Sequence, residues 1–262
     1  MRRSKSDYVI QTVSNALRLL EVFGDEEELG VTEISRRLAL HKNNVFRLLA
    51  TLEEKGYVEQ SLGSERYRLG VRCLEVGQAY AHSRTLVRLA RPAVEALSLA
   101  TGETAHLGTL EAFQVVHLDG EQPPHLVVTP LRVGRRLDAH CTALGKMLLA
   151  CRSPSAWESI TERAAEGGAL AAHTPATVQD RDKLFDHLQA VASQGFAIDL
   201  EECEQGLCCA AAPVFDASGH AVGALSVSAP LFRLGEEALR GETVPQVVGS
   251  AGDLSRKLGW AG

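Results

Sequence analysis

Residues 32–56, TEISRRLALHKNNVFRLLATLEEKG, set the reading of the whole chain. In their second half Val45, Leu48, Leu49 and Leu52 recur at i, i+3, i+4 and i+7, which gathers four apolar side chains on one helical face that must be buried. At about 100° per residue the opposite face collects Asn43, Arg47, Ala50 and Glu54, with Phe46 and Thr51 at its flanks. Amide and guanidinium groups of this kind read base edges, asparagine pairing with adenine and arginine with guanine. The first half carries Ile34 and Leu38 one turn apart, Thr32 as the expected N-cap, and Leu40 closing the turn. A helix, a tight turn and a second helix ending at a glycine form a unit that enters a DNA major groove. Periodicity alone is equally satisfied by a helix pair whose polar face meets only solvent.

The flanking residues separate these two readings. After Gly56, a natural residue for a helix C-terminus, residues 57–60 and 66–69 alternate around the glycine-containing stretch 61–65, which predicts a β-hairpin. Tyr67 and Leu69 share one face and Arg66 and Arg68 the other, giving the hairpin a basic edge. Upstream, Val13, Ala16, Leu17, Leu20 and Phe23 predict a helix over 13–23 capped by Thr12 or Ser14, the third wall of a small core. Together these elements make a winged helix-turn-helix.

At 262 residues, 45% apolar and 23% charged, the chain has a globular composition with room for two domains. No apolar run approaches the ~20 residues of a membrane span. The start MRRSKSDYVI is basic without an apolar stretch behind it, so the expected location is the cytoplasm. The net charge of −6 argues against nucleic acid only globally. Residues 1–72 hold 12 Lys+Arg and 11 Asp+Glu, a net of +1, whereas residues 73–262 hold 15 and 22, a net of −7. The acids of the first part cluster at 25–28, leaving Arg36, Arg37, Lys42, Arg47, Arg66 and Arg68 around the groove-facing surface, and phosphate contact depends on such local charge. With no secretion signal read at the start, disulfides among the six cysteines are not expected; they include no CxxC pair, so neither is a zinc site of the usual spacing, and no metal or cofactor is called for.

Beyond residue 70 the pattern predicts helices over 71–83 and 86–100, with Pro92 placed at a helix start and Gly102 as the stop. Strands follow at 104–110 and 113–118, paired around Glu111-Ala112, and at 126–129, 196–199, 207–215 and 220–228. Helices are expected at 142–150, 180–193 and 244–258. Because strands and helices do not alternate strictly, the expected fold class is α+β, with a mixed or antiparallel sheet flanked by helices. Three stretches carry unusual polarity: AHCTALGK at 139–146, GFAIDLEE at 195–202 leading into GLCCAAAPV at 206–214, and ALSVSAP at 224–230. Thr142, Asp199, Ser226 and Ser228 supply donors and an acceptor, and the helix N-terminus behind Thr142 suits an anion such as a carboxylate. Asp199 would repel that carboxylate unless protonated or aimed at a hydroxyl. The same residues are also compatible with serines bonding backbone, cysteines filling core and Glu201-Glu202 as a solvated pair.

GVTEISRRLALHKNNVFRLLATLEEKGYVEQ and RYRLG in the first part, with HCTALGKMLLA, GFAIDLEECEQGLCCAAAPVFD and ALSVSAP in the second, resemble the IclR family of bacterial transcription regulators from about residue 9 to the last helix. The resemblance implies a winged helix-turn-helix over 1–70, a connecting helix over 71–92 and a GAF-like effector-binding domain over 93–262. It further implies a homodimer or homotetramer on double-stranded operator DNA, responsive to a small organic acid or aromatic metabolite. By motif, the implied effector site falls on Ala143, Leu144, Asp199, Cys209, Ser226 and Ser228, to which Thr142 is added from the helix-terminus argument. DNA contacts are expected from Arg36, Arg37, Lys42, Asn43, Asn44, Phe46, Arg47, Arg66 and Arg68. Asn43-Asn44 stand where the family often has Ser-Thr, and Ala229 where a glycine is common. A rival reading is an enzyme or metal protein using His140, Asp199, Cys203, Cys208 and Cys209; a third is a regulator without an effector. Thiol catalysis needs a base and an activated pKa, and the spacing supplies neither.

Overall fold

The computed structural model describes residues 8–24, 26–125, 129–164 and 170–262. The chain divides into one compact unit ending at Ser83 and a second beginning at Arg84.

In the first unit, helices α1 (Gln11–Glu21), α2 (Val31–Leu38) and α3 (Lys42–Glu54) surround Leu19, Phe23, Ile34, Leu38, Val45 and Leu49, all buried. Strands β1 (Val58–Gln60) and β2 (Tyr67–Leu69) form the antiparallel wing, and Leu29 bridges to Tyr67 along its other edge. Helix α2 begins two residues earlier than expected. Gly30 is its N-cap, and the Glu33 carboxylate accepts the Gly30 N–H at 2.8 Å, so the capping expected of Thr32 is done from inside the helix. Ala39 in a left-handed conformation makes the turn, and Gly56, at φ +77°, ends the α3 region. Helix α1 likewise starts early, with Ile10 at the N-cap and no side-chain bond from Thr12 or Ser14. Val13 and Leu17, expected in the core, are 53% and 56% exposed, and Leu19 takes the buried position instead. Leu69 is 42% exposed because only Tyr67 reaches beneath the helices. Helix α4 (Val71–Ser83) buries no residue within this unit.

The helices expected over 71–83 and 86–100 are α4 and α5 (Thr85–Thr101), with Arg84 extended between them (φ −92°, ψ 111°), so the connecting span 71–92 is not one continuous helix. Pro92 lies inside α5 rather than at its start, where loss of one backbone bond costs ~3 kcal/mol. Burial of Val87, Ala90, Val94 and Leu97 offsets that cost.

The second unit is built on a six-stranded sheet of order β5-β4-β3-β8-β7-β6, antiparallel at every pairing: β3 (Thr104–Glu111), β4 (Gln114–Glu121), β5 (Arg136–Asp138), β6 (Ala197–Leu200), β7 (Leu207–Phe215) and β8 (Ala221–Pro230). The expectation of a mixed or antiparallel sheet thus resolves to the antiparallel one. Residues 126–128 of the strand expected at 126–129 lie outside the described residues. Helices α6 (Ala143–Ala150), α7 (Pro154–Ala164) and α8 (Arg181–Gln194) share a core with one sheet face, while α5 and α10 (Val244–Lys257) pack against the strands from the other. A three-residue α9 (Glu236–Ala238) and a π turn (Leu239–Thr243) lead into α10. Cover on both faces explains why β7 reads as the unbroken small-apolar run LCCAAAPV: alanines let helices approach from each side.

Candidate functional site

The exposed face of α3 presents Lys42, Asn43, Asn44, Phe46 and Arg47, as its periodicity requires once Val45, Leu48 and Leu49 are buried. Phe46 is 58% exposed, beside a groove of about 470 Å³ that Thr12 and Asn15 of α1 share with Asn44 and Arg47. The basic residues fall into two groups. Among the described residues Arg36, Lys42 and Arg47 make no intramolecular ion pair. Arg37 pairs with Glu26 at 2.7 Å, Arg68 with its cross-strand neighbour Glu59 at 2.6 Å, and Arg66 with Glu33 at 2.8 Å and the Glu28 carbonyl at 3.0 Å. Those three guanidiniums therefore also serve the fold. Half-exposed pairs are worth ~0–1 kcal/mol, so a phosphate can compete for them.

In the second unit Thr142, Ala143, Leu144, Asp199, Cys209, Ser226 and Ser228 line one small cavity of about 20 Å³. The sheet register brings them together, with Asp199 opposite Cys209 and Cys209 opposite Ser228. Ser226 lies two residues along β8, on the same face. Thr142 caps α6, its Oγ1 accepting the Gly145 N–H at 3.1 Å, and the helix geometry leaves the Ala143 and Leu144 N–H groups without intrahelical partners. Gly145 is needed here, since a Cβ would stand 2.2 Å from the Ala139 carbonyl oxygen of the preceding 3-10 turn (Ala139–Cys141).

Asp199 is 1% exposed. Burial pushes its carboxyl up to about 7 against the opposing pull of the Lys146 ammonium, and its Oδ1 accepts the Glu202 N–H at 2.8 Å. A carboxyl of that pKa can stand protonated at neutral pH, which weakens the charge objection to an anionic ligand. Lys146 and Glu202 form a buried ion pair behind it.

His117, Arg132 and Leu137 complete the lining, and no motif had pointed to them. Arg132 is the cation of the cavity, its side chain 12% exposed and paired with Glu204 at 2.7 Å. Its backbone N–H donates to His106 Nε2 at 3.2 Å. The available signal was the basic run RVGRR at 132–136 in an otherwise acidic domain.

The residues of the rival catalytic reading fall into two places rather than one site, Asp199, Cys208 and Cys209 on β6 and β7, and His140 with Cys203 on either side of Cys141. Cys208 donates to the Leu234 carbonyl at 3.0 Å, and burial pushes its thiol up to about 11. The Cys209 thiol is likewise driven up by burial and donates to Ser228 Oγ at 3.3 Å. His140 stacks on Phe113 at 5.6 Å, outside the cavity lining. Cys203 pairs with Cys141, whose S–H bond draws the Cys203 thiol downward. A wider apolar groove of about 460 Å³ lies near the far end of β7, where Trp260 packs on Phe215 at 4.9 Å, and it is lined by none of the polar residues singled out from the sequence.

Residues 78–256 match the family model "Bacterial transcriptional regulator IclR C-terminal", and residues 12–62 match "IclR helix-turn-helix domain". The HTH-type transcriptional regulator KdgR of Escherichia coli (strain K12) is 34% identical over 251 residues, covering 96% of this chain and 94% of the relative. Among solved structures, a putative transcriptional regulator from Rhodococcus sp. RHA1 superposes with a TM-score of 0.83 at 27% identity, covering 95% of this chain and 98% of that one. An IclR homolog from Microbacterium hydrocarbonoxydans, crystallised with 4-hydroxybenzoate, has a TM-score of 0.79 at 25% identity, covering 94% and 98%.

Proposed function

The chain belongs to the IclR family of bacterial transcriptional regulators, and we propose that a small organic acid or aromatic metabolite, held between Arg132, the α6 N-terminus and Ser226 and Ser228, sets its affinity for operator DNA. The observation carrying this reading is that the seven residues singled out, four for their polarity and the others by the family resemblance, line a single cavity, with a cation beside them. A carboxylate there would accept from Arg132 and from the Ala143 and Leu144 N–H groups. Asp199, Ser226 and Ser228 suit a ligand hydroxyl.

The cavity's size adds a mechanical requirement. About 20 Å³ holds a single water, whereas small-molecule pockets run to ~300–1,000 Å³. Ligand entry must therefore displace a wall. Of the lining residues only Arg132, in the 130–135 segment, and the capping Thr142 lie outside helix and strand, and Thr142 is tied to α6. A ligand that binds an opened arrangement better than the closed one shifts the equilibrium between them; a tenfold change in DNA affinity needs a coupling of ~1.4 kcal/mol.

On the DNA side Asn43, Asn44, Phe46 and Arg47 face bases, while Arg36 and Lys42 hold phosphates, joined by Arg37, Arg66 and Arg68 when these exchange their carboxylates. Two-fold pairing of chains would set half-sites one helical turn, or a multiple of it, apart. Val71, Leu74, Val76 and Tyr80, 44–65% exposed on α4, are apolar surface suited to a second copy in a homodimer, or a homotetramer of such dimers. No helix among the described residues is long and apolar enough to cross a membrane, which fits the cytoplasmic location expected of a DNA-bound regulator.

A thermal-shift screen of 4-hydroxybenzoate and short carboxylic acids, followed by fluorescence anisotropy on the gene's own upstream DNA with each hit, tests the proposal. The expected result is a stabilising acid that changes DNA affinity and whose binding weakens ~10–100-fold in Arg132→Met, the loss of a charge-assisted hydrogen bond. Acids that bind without altering DNA affinity would refute the coupling.

A further inference from the structure

His140, Cys141 and His173 belong neither to the DNA face nor to the lining of the small cavity. One ring nitrogen of each histidine and the Cys141 Sγ all lie within 4.8 Å of one another. Both histidines are already oriented through their other nitrogen. His140 Nε2 is 2.9 Å from the Ala171 carbonyl oxygen, and His173 Nε2 is 3.0 Å from Asp138 Oδ2. Oxygen acceptors at Nε2 favour the Nε2–H tautomer and leave Nδ1 of each ring as a lone pair. His140 Nδ1 is buried without any hydrogen-bond partner, in a residue only 1% exposed. Such an atom forfeits ~1–3 kcal/mol unless something electrophilic occupies its lone pair. Cys203, from the loop after β6, is outside these mutually close atoms and borders them as the neighbour of Cys141, with its Sγ 4.0 Å from Arg132 Nη1.

We infer that His140 Nδ1, His173 Nδ1, Cys141 Sγ and Cys203 Sγ form a four-coordinate site for a zinc ion. Two imidazoles and two thiolates are a donor set that tetrahedral zinc accepts, at about 2.0–2.1 Å to nitrogen and 2.3 Å to sulfur. Ligand atoms in such a shell stand roughly 3.3–3.8 Å apart, so His140, Cys141 and His173 need to close by up to about 1.5 Å, and Cys203 moves in from beyond them to complete the shell. The Ala171 carbonyl and the Asp138 carboxylate act as the outer partners that fix ring orientation. His173, 36% exposed, gives the ion a way in. Binding converts both thiols to thiolates and releases two protons to solvent.

The ion would join three segments: the 3-10 turn that precedes Thr142, the loop carrying His173, and the loop carrying Cys203. Arg132 Nη1 stands 4.0 Å from Cys203 Sγ, so the site adjoins the cation of the effector cavity. The usual sequence signature is missing because neighbouring His140 and Cys141 both come from one turn, and the other two ligands arrive from separate loops.

The test uses the full chain and reads metal directly, so it stands or falls apart from any effector or DNA measurement. Purified protein should retain about one zinc per chain after gel filtration, and Co²⁺ replacing the ion should give the thiolate charge-transfer and d–d absorption of a tetrahedral site. Cys203→Ser and His173→Gln should abolish the charge-transfer intensity or cut it about in half, Asp138→Asn should weaken zinc binding ~10–100-fold, and Cys151→Ser should change neither. Zinc at well under a tenth of an equivalent, an octahedral cobalt spectrum, undiminished affinity in Asp138→Asn, or a Cys141–Cys203 disulfide in freshly purified protein would each overturn the assignment.

Discussion

Replacing Lys146 by methionine removes one half of the ion pair behind the effector cavity. The Lys146 side chain is 2% exposed and that of Glu202 10%, and Glu202 Oε2 is buried without a partner. Lys146→Met therefore leaves a carboxylate in a site with little water, next to Asp199, whose carboxyl is already pushed up to about 7. Breaking a buried pair by removing one partner costs ~3–5 kcal/mol. For a unit of this size each kilocalorie lowers Tm by ~2–4 °C, so the second unit should melt ~6–20 °C lower. The double replacement Lys146→Met/Glu202→Gln takes away the stranded charge and should recover most of the loss, giving a coupling of ~2 kcal/mol or more across the cycle. Differential scanning calorimetry on the four proteins measures both quantities. A shift below 2 °C for Lys146→Met, or strict additivity in the double variant, would refute the claim that the pair is desolvated and mutually dependent.

Gly145→Ala should destabilise the second unit by ~1–3 kcal/mol or more, read as a lower urea midpoint, because its Cβ would fall 2.2 Å from the Ala139 carbonyl oxygen. Arg66→Ala should cost no more than ~1 kcal/mol in the first unit and leave base preference unchanged in a binding-site selection, since this guanidinium clamps the wing to Glu33 and the Glu28 carbonyl. Burial, with Arg132 nearby, depresses His106 to about 3 and His117 to about 4. Unfolded histidine titrates near 6.5, so the native state binds fewer protons below that pH; stability is whole above ~6.5 and is lost toward those lower values at ~1.4 kcal/mol per pH unit per residue. Between pH 7 and pH 5 the two histidines should therefore cost the second unit ~2–4 kcal/mol, partly offset by ~2 kcal/mol from Asp199, whose carboxyl at about 7 is stabilised as pH falls, and calorimetry should show His106→Gln removing about half of the histidine loss.

Much of this architecture was legible because burial imposes a period. The α4 and β7 bounds follow from apolar spacing and from the unbroken small-residue run, and the α3 polar face from the positions of Val45, Leu48 and Leu49. The cavity residues were legible where they sit on regular strands or at a capped helix start. Arg132 and His117 were not, because one lies in an irregular segment and the other on a strand whose partner β5 has only three residues. Helix α7 was also hidden. Its anchor is a single tryptophan, Trp157, whose indole N–H donates to the Leu149 carbonyl at 2.7 Å. Pro92 was misplaced because local rules put proline at a helix start, while packing of α5 against the sheet overrides them. Side-chain pairing escaped altogether: nothing in the spacing of Arg66 and Glu33, or of Lys146 and Glu202, announces that they meet.

The most direct test of the central claim is selection of bound sequences from a random duplex library by wild-type protein and by Arg47→Ala. The account predicts a two-fold symmetric site for the wild type. In Arg47→Ala it predicts affinity for that site reduced by ~1–3 kcal/mol, with preference relaxed at one base pair per half-site. An equal loss on every sequence would make Arg47 a phosphate contact, and no enriched sequence at all would contradict the assignment of the α3 face as the DNA reader.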